Sequence, residues 1–312
     1  MKITTNLTYL LLFTFLIFGC SGVQQNKEQA SSETVTEKEA FQYVVPKPVN
    51  GALYGVIELG GSGFNSFVIE IDSTGTWELI EAKFGESKVY DGDVSLELIK
   101  SGLETYMQGM LDKGVQADRV YFVQSSTASE SEKVQEINTV LKELGYWVKN
   151  VDANEEGTFA FNAVVPDLFK SNSLMIDIGS GNTKITWLEN GEVHNITVNG
   201  SKYFQDGISD EEVYQKIKTA LTGIPSDRME RCFMIGGAPY GLAKLDEDYY
   251  DRFTPLKEPS FYSNLDDKKT QAGLNIYKSF YDNLENCKHF VFDWDSNFSV
   301  GYLLQLHASG SL

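Results

Sequence analysis

Histidine and cysteine are scarce in this chain, with three of each among 312 residues. No Cys-x-x-Cys pair and no Cys/His cluster occurs, which excludes the common zinc-binding motifs. Basic residues are also few: 26 Lys and Arg stand against 44 Asp and Glu, and the formal net charge is −18. A chain this acidic repels phosphate backbones, so general nucleic-acid binding is excluded as a function.

The most apolar run, residues 10–18, is short for a membrane span, which needs about 20 apolar residues. The run ends in the segment Ile17–Cys20, which resembles the cleavage site of a bacterial lipoprotein, in which the cysteine receives lipid such as palmitate. We therefore expect a signal peptide at 1–19, lipidated Cys20 on a flexible tether at 20–44, and anchoring to the membrane of the bacterial cell envelope, facing the periplasm. An ordinary secretory signal is the alternative.

Beyond the tether, strand and helix patterns alternate, which predicts an α/β fold. Apolar strands at Leu53–Leu59 and Leu174–Ile178 each carry an acid near the end, and glycines follow. After each comes the same order of hairpin, helix, strand, helix and strand. This internal repetition predicts two lobes, at 45–170 and 171–312, whose sheets face each other across a cleft.

Three glycine-rich turns are candidate phosphate sites, because glycine lets backbone N–H groups approach an anion closely. The alternative for each is an ordinary tight turn. The acids Glu58 and Asp177, at the ends of the two apolar strands, are candidates to hold a metal ion or a water molecule. The candidate phosphate-binding residues are Gly60, Gly61, Ser62, Gly63, Asn65 and Ser66 in the first turn, Gly179, Ser180, Gly181, Asn182 and Thr183 in the second, and Gly236 and Gly237 in the third.

Two adjacent acids, Glu155 and Glu156, follow the strand predicted at 147–151. At a helix start such acids complement the helix dipole. The alternative is a general base that activates a water for attack on a phosphoryl group.

Acidic and aromatic residues also cluster at 246–251 and 293–295. Calcium binding is conceivable for such clusters, but we expect solvated loops.

Five segments in order resemble the Ppx/GppA family of exopolyphosphatases and guanosine pentaphosphate phosphatases, within the actin-like ATPase superfamily. They are the first glycine turn, Phe122–Thr127, Asn154–Glu156, Asp177–Thr183, and Gly236-Gly237 with Leu242–Leu245. The resemblance runs from about Tyr54 to Leu304 and implies two RNase H-like lobes. It also implies a hydrolase acting on phosphoanhydride bonds of polyphosphate or a guanosine polyphosphate. Glu156 would be the catalytic acid that activates water, with Glu58 and Asp177 close to phosphate and Mg²⁺.

The sequence departs from the family pattern at positions that bear on the metal. Glu58 replaces an aspartate, Gly61–Phe64 stand as an insertion in the first turn, and Lys184 replaces an acid. A lysine inverts the local charge, which disfavours Mg²⁺, although it can itself contact phosphate. The competing function is therefore a non-catalytic lipoprotein that keeps the fold and binds a phosphorylated ligand or serves as a scaffold. The expected partner is a phosphorylated small molecule or polyphosphate, and the oligomeric state is left open.

The fold implied by the resemblance places Cys232 and Cys287 before neighbouring parallel strands of the second lobe. Disulfides persist outside the cytoplasm. We expect a disulfide between them, and two separate thiols are the alternative.

Overall fold

Five strands form a mixed sheet in the first half of the chain. The structure is a computed structural model. It describes residues 41–60, 63–85, 96–126, 128, 132–245, 251–262 and 265–312. The strands lie in the order β3-β2-β1-β4-β5, with β1 to β3 antiparallel and β1, β4 and β5 parallel. They are β1 (Ala52–Gly60), β2 (Gly63–Ile71), β3 (Trp77–Phe84), β4 (Val120–Gln124) and β5 (Val148–Asn150).

Six strands form a second sheet of the same plan. Their order is β10-β11-β9-β6-β7-β8, so β6, β7, β8, β9 and β11 repeat the arrangement of the first sheet and β10 adds an edge strand. The predicted repetition and α/β class are confirmed, while the short β10 was not predicted. The strands are β6 (Ser173–Ile178), β7 (Asn182–Glu189), β8 (Glu192–Asn199), β9 (Arg231–Ile235), β10 (Phe253–Pro255) and β11 (His289–Asp293).

Helices connect the strands, and their ends follow local sequence signals. Asp152 accepts hydrogen bonds from the backbone N–H groups of Asn154 and Glu155, and Glu155 bonds back to the N–H of Asp152, so a capping box starts α3. No helix within the described ranges is long and apolar enough to cross a membrane. The helices are α1 (Leu96–Asp112), α2 (Glu132–Glu143), α3 (Ala153–Val164), α4 (Asp210–Leu221), α5 (Gly237–Ala243), α6 (Lys268–Asn283) and α7 (Phe298–Ala308).

Helices α3 and α7 interlock the two halves. Helix α3 follows the first sheet but packs on β7 and β8 of the second, whereas α7 follows the second sheet and packs on β1 and β2 of the first. The two helices also pack on each other. A Cβ at Gly301 would lie 1.9 Å from the carbonyl oxygen of Phe159, so the crossing is closer than any other residue allows. The lobe boundary at 170/171 stays a prediction, because the helices cross it.

Arg252 joins the two halves near the end of α3. Its guanidinium carbon lies 4.3 Å from the ring centroid of Trp77 and 4.8 Å from that of Phe253. The same guanidinium donates to the carbonyl oxygen of Ala163 at 2.7 Å and to both carboxylate oxygens of Asp293, at 2.8 and 3.1 Å. A cavity of about 660 Å³ lies beside this contact and is lined in part by Trp77 and Ala163.

This contact corrects the expectation for the acidic segment 293–295. Asp293 is 1% exposed and bound by Arg252, so it is neither a solvated residue nor a calcium ligand. Burial and the nearby charge of Asp293 raise the pKa of Asp295 to about 6, although Arg252 opposes the shift. Residues 246–250 of the other acidic cluster lie outside the described residues.

Cys232 and Cys287 do not form the expected disulfide, although β9 and β11 are parallel neighbours as predicted. The register pairs Cys232 with Phe290, which places Cys287 three positions before that level. Three strand residues span about 10 Å, whereas a disulfide joins Cα atoms less than about 7 Å apart. Both residues are buried thiols, and the Sγ of Cys287 donates to the carbonyl oxygen of His289 at 3.2 Å.

The crossing of α3 and α7 generates a stability prediction. Gly301→Ala is expected to lower the free energy of unfolding by about 1–3 kcal/mol, because the new methyl group meets backbone that cannot rotate away. The control is Gly102→Ala in α1, where a Cβ meets open space. That change should raise stability by up to about 1 kcal/mol, since alanine is the better helix former. Urea unfolding followed by circular dichroism measures both, and equal effects would contradict the crossing.

Candidate active site

The acids predicted at the strand ends occupy equivalent places in the two sheets. Glu58 of β1 lies opposite Asn65 of β2, and Asp177 of β6 lies opposite Lys184 of β7. The two hairpins have the same length, because positions 58 and 65 are as far apart in sequence as positions 177 and 184. Partners directly opposite on antiparallel strands share a face of the sheet, so Asn65 and Lys184 are equivalent residues of the repeat.

Glu156 is held by groups from both halves. Its Oε1 accepts a hydrogen bond from the Nζ of Lys184 at 2.8 Å. Its Oε2 accepts two more, from the backbone N–H of Ser126 at 3.1 Å and from the Ser126 hydroxyl at 2.6 Å. The side chains of Lys184 and Glu156 are only 5% and 10% exposed. The Glu156 carboxylate is therefore fixed where the end of β4, the start of α3 and strand β7 meet.

Glu58, Glu156, Asp177 and Lys184 form what we call the carboxylate–lysine cluster. Burial raises the pKa of Glu58 to about 7, and a hydrogen bond from the hydroxyl of Ser299 at 2.9 Å opposes that shift. The charges of Glu156 and Asp177 raise it further. Glu58 is therefore partly protonated near neutral pH, which reduces the negative charge of the cluster.

Asp177 and Lys184 perturb each other within the cluster. Burial raises the pKa of Asp177, and the positive charge of Lys184 opposes that shift. Burial lowers the pKa of Lys184, but the charges of Asp177, Glu156 and Glu58 outweigh burial and raise it. Lys184 is therefore an ammonium ion facing three carboxyl groups.

The predicted Mg²⁺ site at Glu58 and Asp177 does not fit this arrangement. Magnesium needs carboxylate oxygens that converge on an octahedron with room for water. Here the charges of Glu58 and Asp177 already act on the ammonium of Lys184, and Glu156 is bonded to it. Across the part of the chain that the structure describes, no group of three acidic, His or Cys side chains is arranged to hold a metal ion.

The second predicted phosphate turn borders the cluster. Asn182 accepts a hydrogen bond from the Nζ of Lys184 at 3.3 Å through its Oδ1. The carbonyl oxygens of Gly179 and Ser180 accept bonds from the N–H groups of Ser201 and Lys202, both at 2.9 Å. The turn, which also includes Gly181, is thus held rigidly by the residues after β8, a contact that its own sequence does not reveal.

The third predicted turn, Gly236-Gly237, also meets the cluster. Gly236 has φ of 98°, in the left-handed region that favours glycine. A Cβ there would lie 2.7 Å from Oδ1 of Asp177 and 2.5 Å from the carbonyl oxygen of Ile178. This glycine therefore lets the turn after β9 pass directly beside Asp177, and α5 begins at Gly237.

Two of the predicted phosphate-binding residues, Ser66 and Thr183, lie on the face of their sheet opposite to the carboxylate–lysine cluster. Ser66 pairs with Ile57 and Thr183 with Ile178, each one position away from a cluster residue, so their side chains point to the opposite side of the sheet. Both are buried, and the Thr183 hydroxyl donates to the carbonyl oxygen of Asn199 at 2.9 Å.

The first turn is described only at its edges, where Gly60 pairs with Gly63. The predicted phosphate-binding residues Gly61 and Ser62 lie outside the described residues, as does the predicted lipidation site Cys20. Asn65 lies beside Glu58 and opposes the rise in the pKa of that carboxyl through a hydrogen bond.

Gly157, in the first half of the chain, lies against Asn195 of the second half. A Cβ at this position would lie 2.0 Å from Oδ1 of Asn195, which accepts a bond from Thr186 at 2.6 Å. The Nδ2 of Asn195 donates to the carbonyl oxygen of Asn154 at 3.4 Å. Glycine here therefore makes room for an amide that joins α3 to β8.

Sequence reasoning missed the roles of Ser126 and Ser299. Ser126 lies within the segment Phe122–Thr127 that carries the family resemblance, so its position was a usable signal. Ser299 had none, because the last helix reaches Glu58 only through the interlocking of the two halves. Its hydroxyl is buried at the start of α7, where Asn297 accepts bonds from the N–H groups of Ser299 and Val300.

The raised pKa of Glu58 generates a pH prediction. Its folded pKa of about 7 lies above the ordinary value of 4.5, so the folded state keeps a proton that the unfolded state releases. The free energy of unfolding of the wild type, relative to that of Glu58→Gln, should fall as pH rises from about 5 to about 8. Urea unfolding across that range measures the difference. A difference that does not change with pH would contradict the buried, protonated carboxyl.

Comparisons with known proteins agree with this architecture. No protein-family model and no curated protein sequence matches the chain. Among solved structures, a Ppx/GppA family member from Aquifex aeolicus is similar at a TM-score of 0.62, with 16% identity over 84% of this chain and 99% of the other. An exopolyphosphatase from Cytophaga hutchinsonii is similar at 0.60, with 15% identity over 82% of this chain and 98% of the other. The chain has the fold of the Ppx/GppA proteins, as the sequence resemblance implied.

Proposed function

We propose that this chain is a hydrolase of phosphoanhydride bonds in a polyphosphate or a guanosine polyphosphate, with Glu156 as the general base. The observation that supports it most is the placement of Glu156, whose two oxygens are fixed by Ser126 and Lys184 at the junction of the halves. A base must be held within hydrogen-bond reach of the attacking water. The fold shared with solved exopolyphosphatases supports the same reaction class.

The chain's own residues suffice to assign roles. Glu156 would take a proton from the attacking water, and Ser126 would keep its carboxylate oriented. Lys184 offsets the charge of Glu156 and would meet a phosphoryl oxygen, as would the turn from Gly179 to Asn182. In phosphoryl transfer the protein contributes mainly positioning and electrostatic stabilisation, which a rigid cluster provides.

A non-catalytic ligand-binding lipoprotein remains the second candidate, because one observation favours it. Three donors already occupy the Glu156 carboxylate, so an attacking water would have to compete with them for its oxygens. Such a protein would bind the phosphorylated ligand through the same cluster without turning it over.

The cellular setting is proposed from the sequence. Cys20 would carry the lipid after removal of residues 1–19, and the domain would face the periplasm from the cell envelope. The polar segment up to residue 44 would serve as its tether.

The test is phosphate release by the purified full chain from polyphosphates of several lengths and from guanosine pentaphosphate. Glu156→Gln should slow release by a factor on the order of 10²–10⁴, the usual contribution of a general base. The matched control is Glu155→Gln, since Glu155 is the neighbouring acid but pairs with Lys149 at 2.6 Å instead of joining the cluster. The control should retain wild-type release within about threefold.

Two results would contradict the proposal. If both glutamine variants release phosphate equally, Glu156 is not the base. If the wild type binds these compounds but releases no phosphate from any of them, the non-catalytic candidate is favoured.

A further inference from the structure

Lys184 occupies a position where lysine is unusual. It lies inside strand β7, and its side chain is only 5% exposed. Lysine is seldom buried unless it is paired. Its Nζ donates to Oε1 of Glu156 at 2.8 Å and to Oδ1 of Asn182 at 3.3 Å. Among the described residues, no partner takes the third N–H of this ammonium, which leaves one donor for a ligand oxygen.

The surroundings of Lys184 match those that proteins build around a bound cation. Carboxyl groups from three separate elements, Glu58 of β1, Glu156 of α3 and Asp177 of β6, all act on its charge. An amide oxygen from Asn182 adds a fourth oxygen-bearing group. Hard divalent cations are bound by carboxylate and amide oxygens of this kind. Here the positive charge among these groups is a covalently attached ammonium.

The repeat supplies an internal comparison. Asn65 stands in the first hairpin where Lys184 stands in the second, and both hairpins form with the same length and pairing. The hairpin therefore does not require a lysine at this position. A buried charge that the local fold does not require calls for an explanation in the chemistry of the cluster.

We propose that the ammonium of Lys184 fills the role of a divalent cation in this cluster, so that the protein binds its phosphorylated ligand without Mg²⁺. The inference rests on the proposed phosphate ligand of the same site. Lys184 neutralises part of the carboxylate charge and donates its remaining N–H to a phosphoryl oxygen. A lysine ammonium is an established hydrogen-bond donor to phosphate, where it acts as a point charge.

The experiment uses pyrophosphate and Mn²⁺ as probes with the full-length protein. Calorimetry measures pyrophosphate binding in EDTA and in Mg²⁺, and electron paramagnetic resonance counts bound Mn²⁺. We expect wild-type affinity for pyrophosphate to agree within about twofold in the two buffers, with no stoichiometric Mn²⁺. Lys184→Gln should weaken pyrophosphate binding at least about tenfold, the effect of losing one charge-assisted hydrogen bond. Lys184→Arg should retain most of the affinity, and Lys216→Gln, at an exposed lysine outside the cluster, should leave it unchanged.

A gain-of-function variant provides a second readout. Lys184→Glu replaces the ammonium with a fourth carboxylate and should bind Mn²⁺ stoichiometrically, with a melting temperature that rises when Mn²⁺ is added. The wild-type measurements need no variant, so they decide the matter even if removal of a buried charge prevents folding.

Three results would overturn the inference. One is stoichiometric Mn²⁺ binding by the wild type that Asp177→Asn abolishes. Another is pyrophosphate binding that requires Mg²⁺, and the third is no pyrophosphate binding at all. None of these readouts depends on turnover, so the phosphate-release assay can fail or succeed separately.

Discussion

The close crossing of α3 and α7 is the constraint on which the site depends. Each helix leaves one sheet and packs on the other, and Gly301 lets their backbones meet at Phe159. The crossing brings the N-terminal ends of both helices to the same place. Glu156 arrives on the first turns of α3, and Ser299 arrives on the first turn of α7 to bond Glu58. Neither sheet could assemble these groups by itself.

Charge balance is the second constraint. Three carboxyl groups around one lysine would repel one another strongly if all were ionised. Two features of the structure reduce this repulsion. Lys184 is ion-paired to Glu156, and Glu58 holds its proton to a pKa of about 7. The protein as a whole carries a net charge of −18, so it offers little further attraction to a polyanion. If the proposed phosphorylated ligand binds here, this charge therefore disfavours a long polyphosphate relative to a compact ligand with few phosphoryl groups.

Much of the fold could be predicted from the sequence, because the repeat of strand, hairpin and helix patterns is strong in both halves. Glu58 and Asp177 could be identified as equivalent residues for the same reason, since an acid at the end of an apolar strand stands out. Ser66 and Thr183 belong to the same motifs but point away from the cluster, because strand pleating sends alternate side chains to opposite faces. Ser299 could not be found, because its contact with Glu58 joins residues at opposite ends of the chain.

The predicted disulfide between Cys232 and Cys287 is wrong for a related reason. Strand order could be predicted, but the register that separates Cys232 from Cys287 by three positions depends on how the chain enters β11. Loop geometry of that kind has no periodic signal. The burial and pairing of Asp293 could not be predicted, because its partner, Arg252, lies 41 residues away along the chain.

The Arg252 stack has a mechanical consequence. Arg252 donates a hydrogen bond to the carbonyl oxygen of Ala163 in α3. Glu156 lies seven residues earlier on the same helix, roughly 10 Å along its axis. The rings of Trp77 and Phe253 pack on the same guanidinium, so Arg252 anchors the C-terminal end of α3 to residues of both halves. A substitution of Trp77 would loosen that anchor without altering any residue of the carboxylate–lysine cluster, and its effect would reach Glu156 along the helix.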